Sequence, residues 1–94
     1  MVKSILQRNK ACYICGTTLN LHYHHIFYGT ANRKISDIDR CACYLCVEHH
    51  TGIRGVHHNR TLDTQLKKVC ELAYLKEYKA TKEDFIKRYG KNYL

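Results

Sequence analysis

Proline and tryptophan are absent from the 94 residues, methionine occurs once, and only eight residues are acidic. No internal repeat, low-complexity tract or linker divides the chain. No run approaches the roughly 18 consecutive apolar residues of a membrane span. The opening MVKSILQRNKAC is too short and too polar for a secretory signal. On these absences we expect one cytoplasmic domain over residues 1–94, neither secreted nor membrane-bound nor fibrous. Hydrophobic residues make up 45% of the chain, too many for intrinsic disorder. A chain this short buries a modest share of its surface, so apolar burial alone gives thin stability.

The scarcity of acid leaves a formal charge of +8 and a pI near 9.3. Residues 1–60 carry eight Lys/Arg against three Asp/Glu, and residues 61–94 carry eight against five. The excess is therefore concentrated in the first part. Such a surface favours a polyanionic partner, most simply DNA or RNA.

What the chain does have is cysteine and histidine. All seven histidines and five of the six cysteines fall between Cys12 and His58. In a cytoplasmic chain this pattern reads as metal ligation rather than cross-linking. Cys12-x-x-Cys15-Gly16 is half of a zinc knuckle, and Cys46-x-x-His49 repeats the local spacing. Cys12, Cys15, Cys46 and His49 make a Cys₃His set for a structural Zn²⁺, whose binding energy would serve folding in a small domain. Cys41 and Cys43 lie near enough to compete. On a strand they share a face that excludes Cys46, so they are read as core. Cys70 sits on an apolar helix stripe and is also read as core.

The character changes near residue 60. Residues 19–28 and 41–46 read as strands. Gly29–Asp39 reads as a loop, and Val47–Thr51 as a helical turn. Beyond it, Leu62, Leu66, Val69, Cys70, Ala73 and Tyr74 form an amphipathic stripe, capped by Asn59 or Thr61. Thr81–Asp84 resembles a capping box for a helix over about 82–89, ending at Gly90. Phe85, Ile86 and Tyr89 are expected to face inward. Tyr23, Phe27, Tyr28 and Tyr44 read as core aromatics. The fold class is α+β: a zinc-clasped core over 12–58 with two C-terminal helices over 61–94.

A closed structural zinc site leaves six histidines over: His22, His24, His25, His50, His57 and His58. Histidine is a common neutral metal ligand and a general base near neutral pH. We therefore expect a second, open metal site. His22 and His58 read as surface or packing residues. His24 and His25 fall on opposite faces of an ideal strand, so both reach one ion only where the strand bends or bulges.

His24-His25-Ile26, with Leu45-Cys46-Val47-Glu48-His49-His50 and the preceding Cys-x-x-Cys, resembles the HNH endonucleases, the ββα-metal or His-Me finger group. The stretch from His24 to Lys34, Gly55-Val56-His57 and the ending Tyr89–Leu94 is similar to small HNH proteins of phages and prophages. The resemblance implies a small zinc-stabilised ββα-metal core and phosphodiester hydrolysis in DNA. It implies His25 as general base, His24 and His50 as ligands of a catalytic divalent cation, and His57 as a further ligand or phosphate contact. Two or three imidazoles favour Mn²⁺, Ni²⁺ or Zn²⁺ over Mg²⁺. Arg33, Lys34, Arg54 and Arg60 would contact phosphates. The implied partners are double-stranded or branched DNA and a recombination or replication protein of phage or host, and the implied role is in phage recombination, replication or packaging.

One element of the family pattern is missing. Its middle asparagine corresponds to Cys41 here, and no asparagine lies between Asn32 and Asn59. Asp37, Asp39 or a backbone carbonyl is the expected substitute for orienting the base. A non-catalytic zinc module that binds nucleic acid is the alternative function. A zinc-stabilised protein-interaction domain is a third, with Leu72, Leu75 and Leu94 available for a dimer.

Overall fold

The computed structural model describes residues 3–94. It is a small α+β fold with one two-stranded antiparallel sheet and four helices. Strand β1 is Leu21–His25 and β2 is Ala42–Cys46. Helix α1 is Thr30–Asp39, the short α2 is Val47–His50, α3 is Arg60–Glu77 and α4 is Lys82–Tyr89. Among the described residues no helix is long and apolar enough to cross a membrane.

Both expected strands are present but shorter at their ends. Their register sets His24 opposite Cys43 and His22 opposite Leu45. Beyond β1, Ile26 still donates its N–H to the Cys41 carbonyl. The metal-knuckle segment adds to the other side of β2, where Tyr13 N–H donates to the Tyr44 carbonyl at 2.8 Å.

The segment expected as a loop is helix α1, and the reason is chemical. Its inward face is mostly polar, with Ser36 and Asp39 buried and Asn32 partly buried, and Ile35 is its apolar contact with the core. The i, i+4, i+7 spacing is there, but an apolar stripe is not. Each inward polar group has a partner. Asn32 Nδ2 donates to the Tyr89 carbonyl and Ser36 Oγ to the Phe27 carbonyl. Asp39 accepts two bonds from Arg88 and one from the Tyr89 hydroxyl. Burying polar groups costs little when they are paired this way.

Helix α3 begins at Asn59, whose side chain accepts from Leu62 N–H, so Asn59 rather than Thr61 is the cap. Leu66, Cys70 and Tyr74 of the predicted stripe are buried, but Val69 is exposed. The stripe is rotated toward the polar side, and Asp63 and Glu71 are buried instead. Helix α4 has the full capping box between Thr81 and Asp84 and stops at Gly90, whose φ of 82° suits a residue without Cβ. Phe85 and Tyr89 face inward as expected, while Ile86 is exposed. Phe27 is the core's aromatic centre, 5.1 Å from Phe85 and 4.7 Å from Tyr89 between ring centroids. Tyr93 stacks on the same ring, and its N–H donates to buried Glu71. The chain end is thereby fixed to the core.

Candidate functional site

Among the described residues two groups of side chains lie close enough to bind a metal ion. The first is Cys12, Cys15, Cys46 and His49, the set read from the sequence. The Cys12–Gly16 turn is closed by Gly16 N–H to the Cys12 carbonyl and by Cys12 N–H to the Thr17 carbonyl. Cys46 ends β2 and His49 follows on α2, one turn away. A tetrahedral zinc with sulfurs at about 2.3 Å sets neighbouring sulfurs roughly 3.8 Å apart. Cys15 Sγ and Cys46 Sγ are 3.8 Å apart. His49 Nδ1 is 3.2 Å from Cys46 Sγ and 3.8 Å from Cys12 Sγ. The donor set and its spacing therefore fit a closed tetrahedral ion.

Two thiols of this cluster are shifted in opposite directions: the Thr17 backbone lowers Cys15, but desolvation and the neighbouring Cys12 and Cys46 sulfurs outweigh it and raise that thiol, whereas Cys12 is lowered. Burial raises the Cys12 thiol, but backbone N–H groups around Cys15, Cys46 and Ile14 outweigh it and hold the pKa at about 6. Cys41 and Cys43 stand outside the cluster and are fully buried, as expected. Burial pushes the Cys43 thiol up to about 12, where it is inert. Cys70 is likewise core.

The second group is His24, His50 and His57. His24 comes from β1 and His50 from the end of α2. His57 arrives because the segment after α2 folds back on it. Val56 N–H donates to the His49 carbonyl and His57 N–H to the His50 carbonyl. This return explains how a ligand seven positions beyond His50 reaches the same point. Gly55 makes it possible, since a Cβ there would sit 2.5 Å from the His50 carbonyl oxygen.

His24 is 3% exposed and its Nε2 has no hydrogen-bond partner. Burial, then the neighbouring His50 and His57, hold its pKa at about 3. The ring is neutral at any physiological pH, with a buried nitrogen left over. Burial, then His57 and His22, also lower His50. His50 Nε2 and His57 Nε2 are 3.1 Å apart. Two nitrogens bound to one ion at about 2.1 Å stand roughly 3.0–3.4 Å apart. An unpartnered nitrogen on His24, the lowered basicity of His24 and His50, and this spacing fit a shared cation.

His25 is not among these three. Its ring joins them in lining a cavity of about 230 Å³ with Tyr23, Tyr28 and Arg33. The strand ends at His25, and the adjacent His24 and His25 both line this cavity. His25 Nε2 lies 3.2 Å from Asp37 Oδ1. Of the residues expected to orient His25, Asp37 thus contacts the ring. Asp39 does not, because Arg88 and Tyr89 occupy its carboxylate.

Arg33 and Lys34 flank a neighbouring hollow with His25, Thr30 and Asp37. Arg54 and Arg60 do not line either space. Arg54 lies 3.8 Å from Glu48, and Arg60 opens α3 beside Asp63 and Lys67. Tyr28, expected in the core, is 39% exposed and borders the histidine cavity. Its hydroxyl donates to Asp63, and Lys67 stands over its ring.

His22, read as surface or packing, packs against the histidine group: its Nδ1 is 2.8 Å from His50 Nδ1. The period-2 spacing of His22 and His24 on one strand face is the signal that could have found it. His58 is exposed, as expected. Compared with known proteins, the chain matches no family model, no curated protein and no solved structure.

Proposed function

We propose that the protein is a metal-dependent endonuclease of the HNH type, hydrolysing phosphodiester bonds in DNA. The Cys₃His group would hold a structural Zn²⁺, and His24, His50 and His57 a catalytic divalent cation. The observation that carries the reading is the pairing of two arrangements in one cavity. Three imidazoles lie close enough to share one ion, and a fourth, His25, is held apart from them by a carboxylate. A non-catalytic zinc module has no use for that second arrangement.

A bound cation would supply Lewis-acid stabilisation of phosphate charge and of the departing oxygen. The chain's own residues do the rest. His25 donates from Nε2 to Asp37, which leaves Nδ1 as the lone-pair nitrogen. That nitrogen accepts the proton of a water attacking in line. Asp37 orients the ring and stabilises the imidazolium that forms. His24 stays neutral because it is buried, so it offers a lone pair rather than a proton. Arg33 and Lys34 beside the cavity position the phosphodiester backbone. Binding carried by such contacts is salt-dependent and largely sequence-independent. An imidazole-rich ligand set favours Mn²⁺, Ni²⁺ or Zn²⁺ over Mg²⁺.

The test is plasmid cleavage by zinc-loaded wild type and His25→Ala with Mg²⁺, Mn²⁺, Ni²⁺ or EDTA. Metal-dependent nicking in wild type, lost in a folded His25→Ala, is the expected result. Equal cleavage by both proteins would overturn the assignment of the base. Binding of DNA without cleavage under any metal would favour the non-catalytic module.

A further inference from the structure

The short contact between His22 and His50 is not used by the reaction just described. We propose that His22 is a positioning residue, which fixes the tautomer and orientation of His50 as a cation ligand. This rests on the reading of His24, His50 and His57 as a cation site.

Proton bookkeeping carries the assignment. His50 makes two close nitrogen contacts, Nδ1 to His22 Nδ1 at 2.8 Å and Nε2 to His57 Nε2 at 3.1 Å. A neutral imidazole carries one N–H and one lone pair. The lone pair cannot be on Nδ1 if Nε2 is to bind an ion. Nε2 is the nitrogen that meets His57 Nε2, and these two rings group with His24, which assigns Nε2 to the common point and leaves Nδ1 to His22. The single proton of His50 is then on Nδ1, and it is donated to His22 Nδ1. His22 accepts there and carries its own proton on Nε2.

Geometry keeps His22 out of the ligand set itself. The two nitrogens of one ring diverge, so an ion on His50 Nε2 is on the far side of the ring from His22. His22 is edge-on to His50, with ring centroids 5.0 Å apart and planes at 81°. It is held by the sheet register opposite Leu45, on the same strand face as His24. The strand that delivers one ligand therefore also delivers the support for another. Metal-bound histidines usually donate their second N–H to a carboxylate, carbonyl or water, and loss of that partner typically costs ~10–100-fold in affinity. Here a neutral imidazole takes the place of that acceptor.

The experiment measures Mn²⁺ and Ni²⁺ binding by calorimetry to the zinc-loaded full chain, without nucleic acid. The proteins are wild type, His22→Leu and His22→Asn. Asparagine places its side-chain oxygen near the position of His Nδ1 and keeps the acceptor, whereas leucine removes it. We expect His22→Leu to bind the second cation ~10–100-fold more weakly, with His22→Asn restoring most of the loss. Zinc content of one per chain and an unchanged melting temperature without added cation show that each variant folds. Equal affinity in wild type and His22→Leu would overturn the proposal. So would a His22→Asn as weak as His22→Leu, which would leave packing as the role. If wild type binds no second cation, the cation-site reading falls and the proposal with it. If the affinity pattern holds but no protein cleaves DNA, positioning stands and the nuclease reading falls.

Discussion

His25 Nε2 and Asp37 Oδ1 face each other at 3.2 Å, one at the end of a strand and the other on a helix. Asp37 is two-thirds exposed while the His25 side chain is largely covered. The carboxylate is therefore hydrated, and it meets the ring without being buried itself. If His25 is the base, Asp37→Ala lowers the cleavage rate by ~10–100-fold, as for other supporting partners of functional histidines. Cation affinity stays at the wild-type value, because Asp37 does not touch the His24, His50 and His57 group. Single-turnover cleavage and calorimetry on the same variant separate the two. A fall in affinity with no fall in rate would reassign Asp37.

Removal of the metal from the cysteine cluster is expected to unfold the chain. Apparent binding energies of structural zinc are ~10–16 kcal/mol at neutral pH, more than a small domain's net stability of about 5–15 kcal/mol can comfortably lose. A strong chelator should abolish the cooperative melting transition, and one equivalent of Zn²⁺ should restore it. Cys46→Ser should bind zinc poorly. A protein that melts at the same temperature with and without chelator would sink the structural role.

Acid should destabilise the fold through His24. Its pKa is held at about 3 against an ordinary 6.5. The unfolded chain takes up this proton below pH 6.5, the folded chain only near pH 3. Stability from this group is therefore complete above 6.5 and is lost as pH falls from 6.5 toward 3. The full effect is roughly 3–5 kcal/mol. Denaturant unfolding at several pH values, without added second cation, should show a shallower acid slope in His24→Leu than in wild type. Identical slopes would rule the mechanism out.

Gly55 controls whether His57 reaches the site. A Cβ there meets the His50 carbonyl oxygen at 2.5 Å and its carbon at 2.6 Å, both backbone atoms that cannot swing aside. Gly55→Ala should cost ~1–3 kcal/mol, as overpacking does, and weaken the second cation while leaving zinc content at one. Gly16→Ala meets no atom within 4 Å and should affect stability alone, through its left-handed φ. Equal cation binding in Gly55→Ala and wild type would show that the return of the chain does not deliver the ligand.

The Asp39 carboxylate holds α1 and the start of β2 to α4 through Arg88 and Tyr89. Breaking a buried pair costs ~3–5 kcal/mol. Arg88 is 38% exposed, so Asp39→Ala should cost less, about 2–3 kcal/mol in denaturant unfolding. A change below half a kcal/mol would mean that aromatic packing alone holds α4 in place.

The Cys₃His set, the two strands and α4 were legible in the sequence because each depends on short-range chemistry. Two-residue gaps direct ligands to one ion, alternating side chains mark strands, and Thr81 and Asp84 satisfy each other across one helical turn. Helix α1 was not legible. Its buried face is Asn32, Ser36 and Asp39, and their partners Tyr89, Phe27 and Arg88 come from distant positions. Polar burial has no local signature, since it is favourable only once those partners are in place. The same reason separates Asp37 from Asp39: both are acidic residues of one helix, but one turns to His25 and the other to Arg88. The sequence by itself determined that metal ligands and excess histidines share one half of a basic chain. Only the tertiary structure decided which histidines meet, because the sheet register and the fold-back at Gly55 bring side chains from separate segments together, and coordination acts only at about 2 Å.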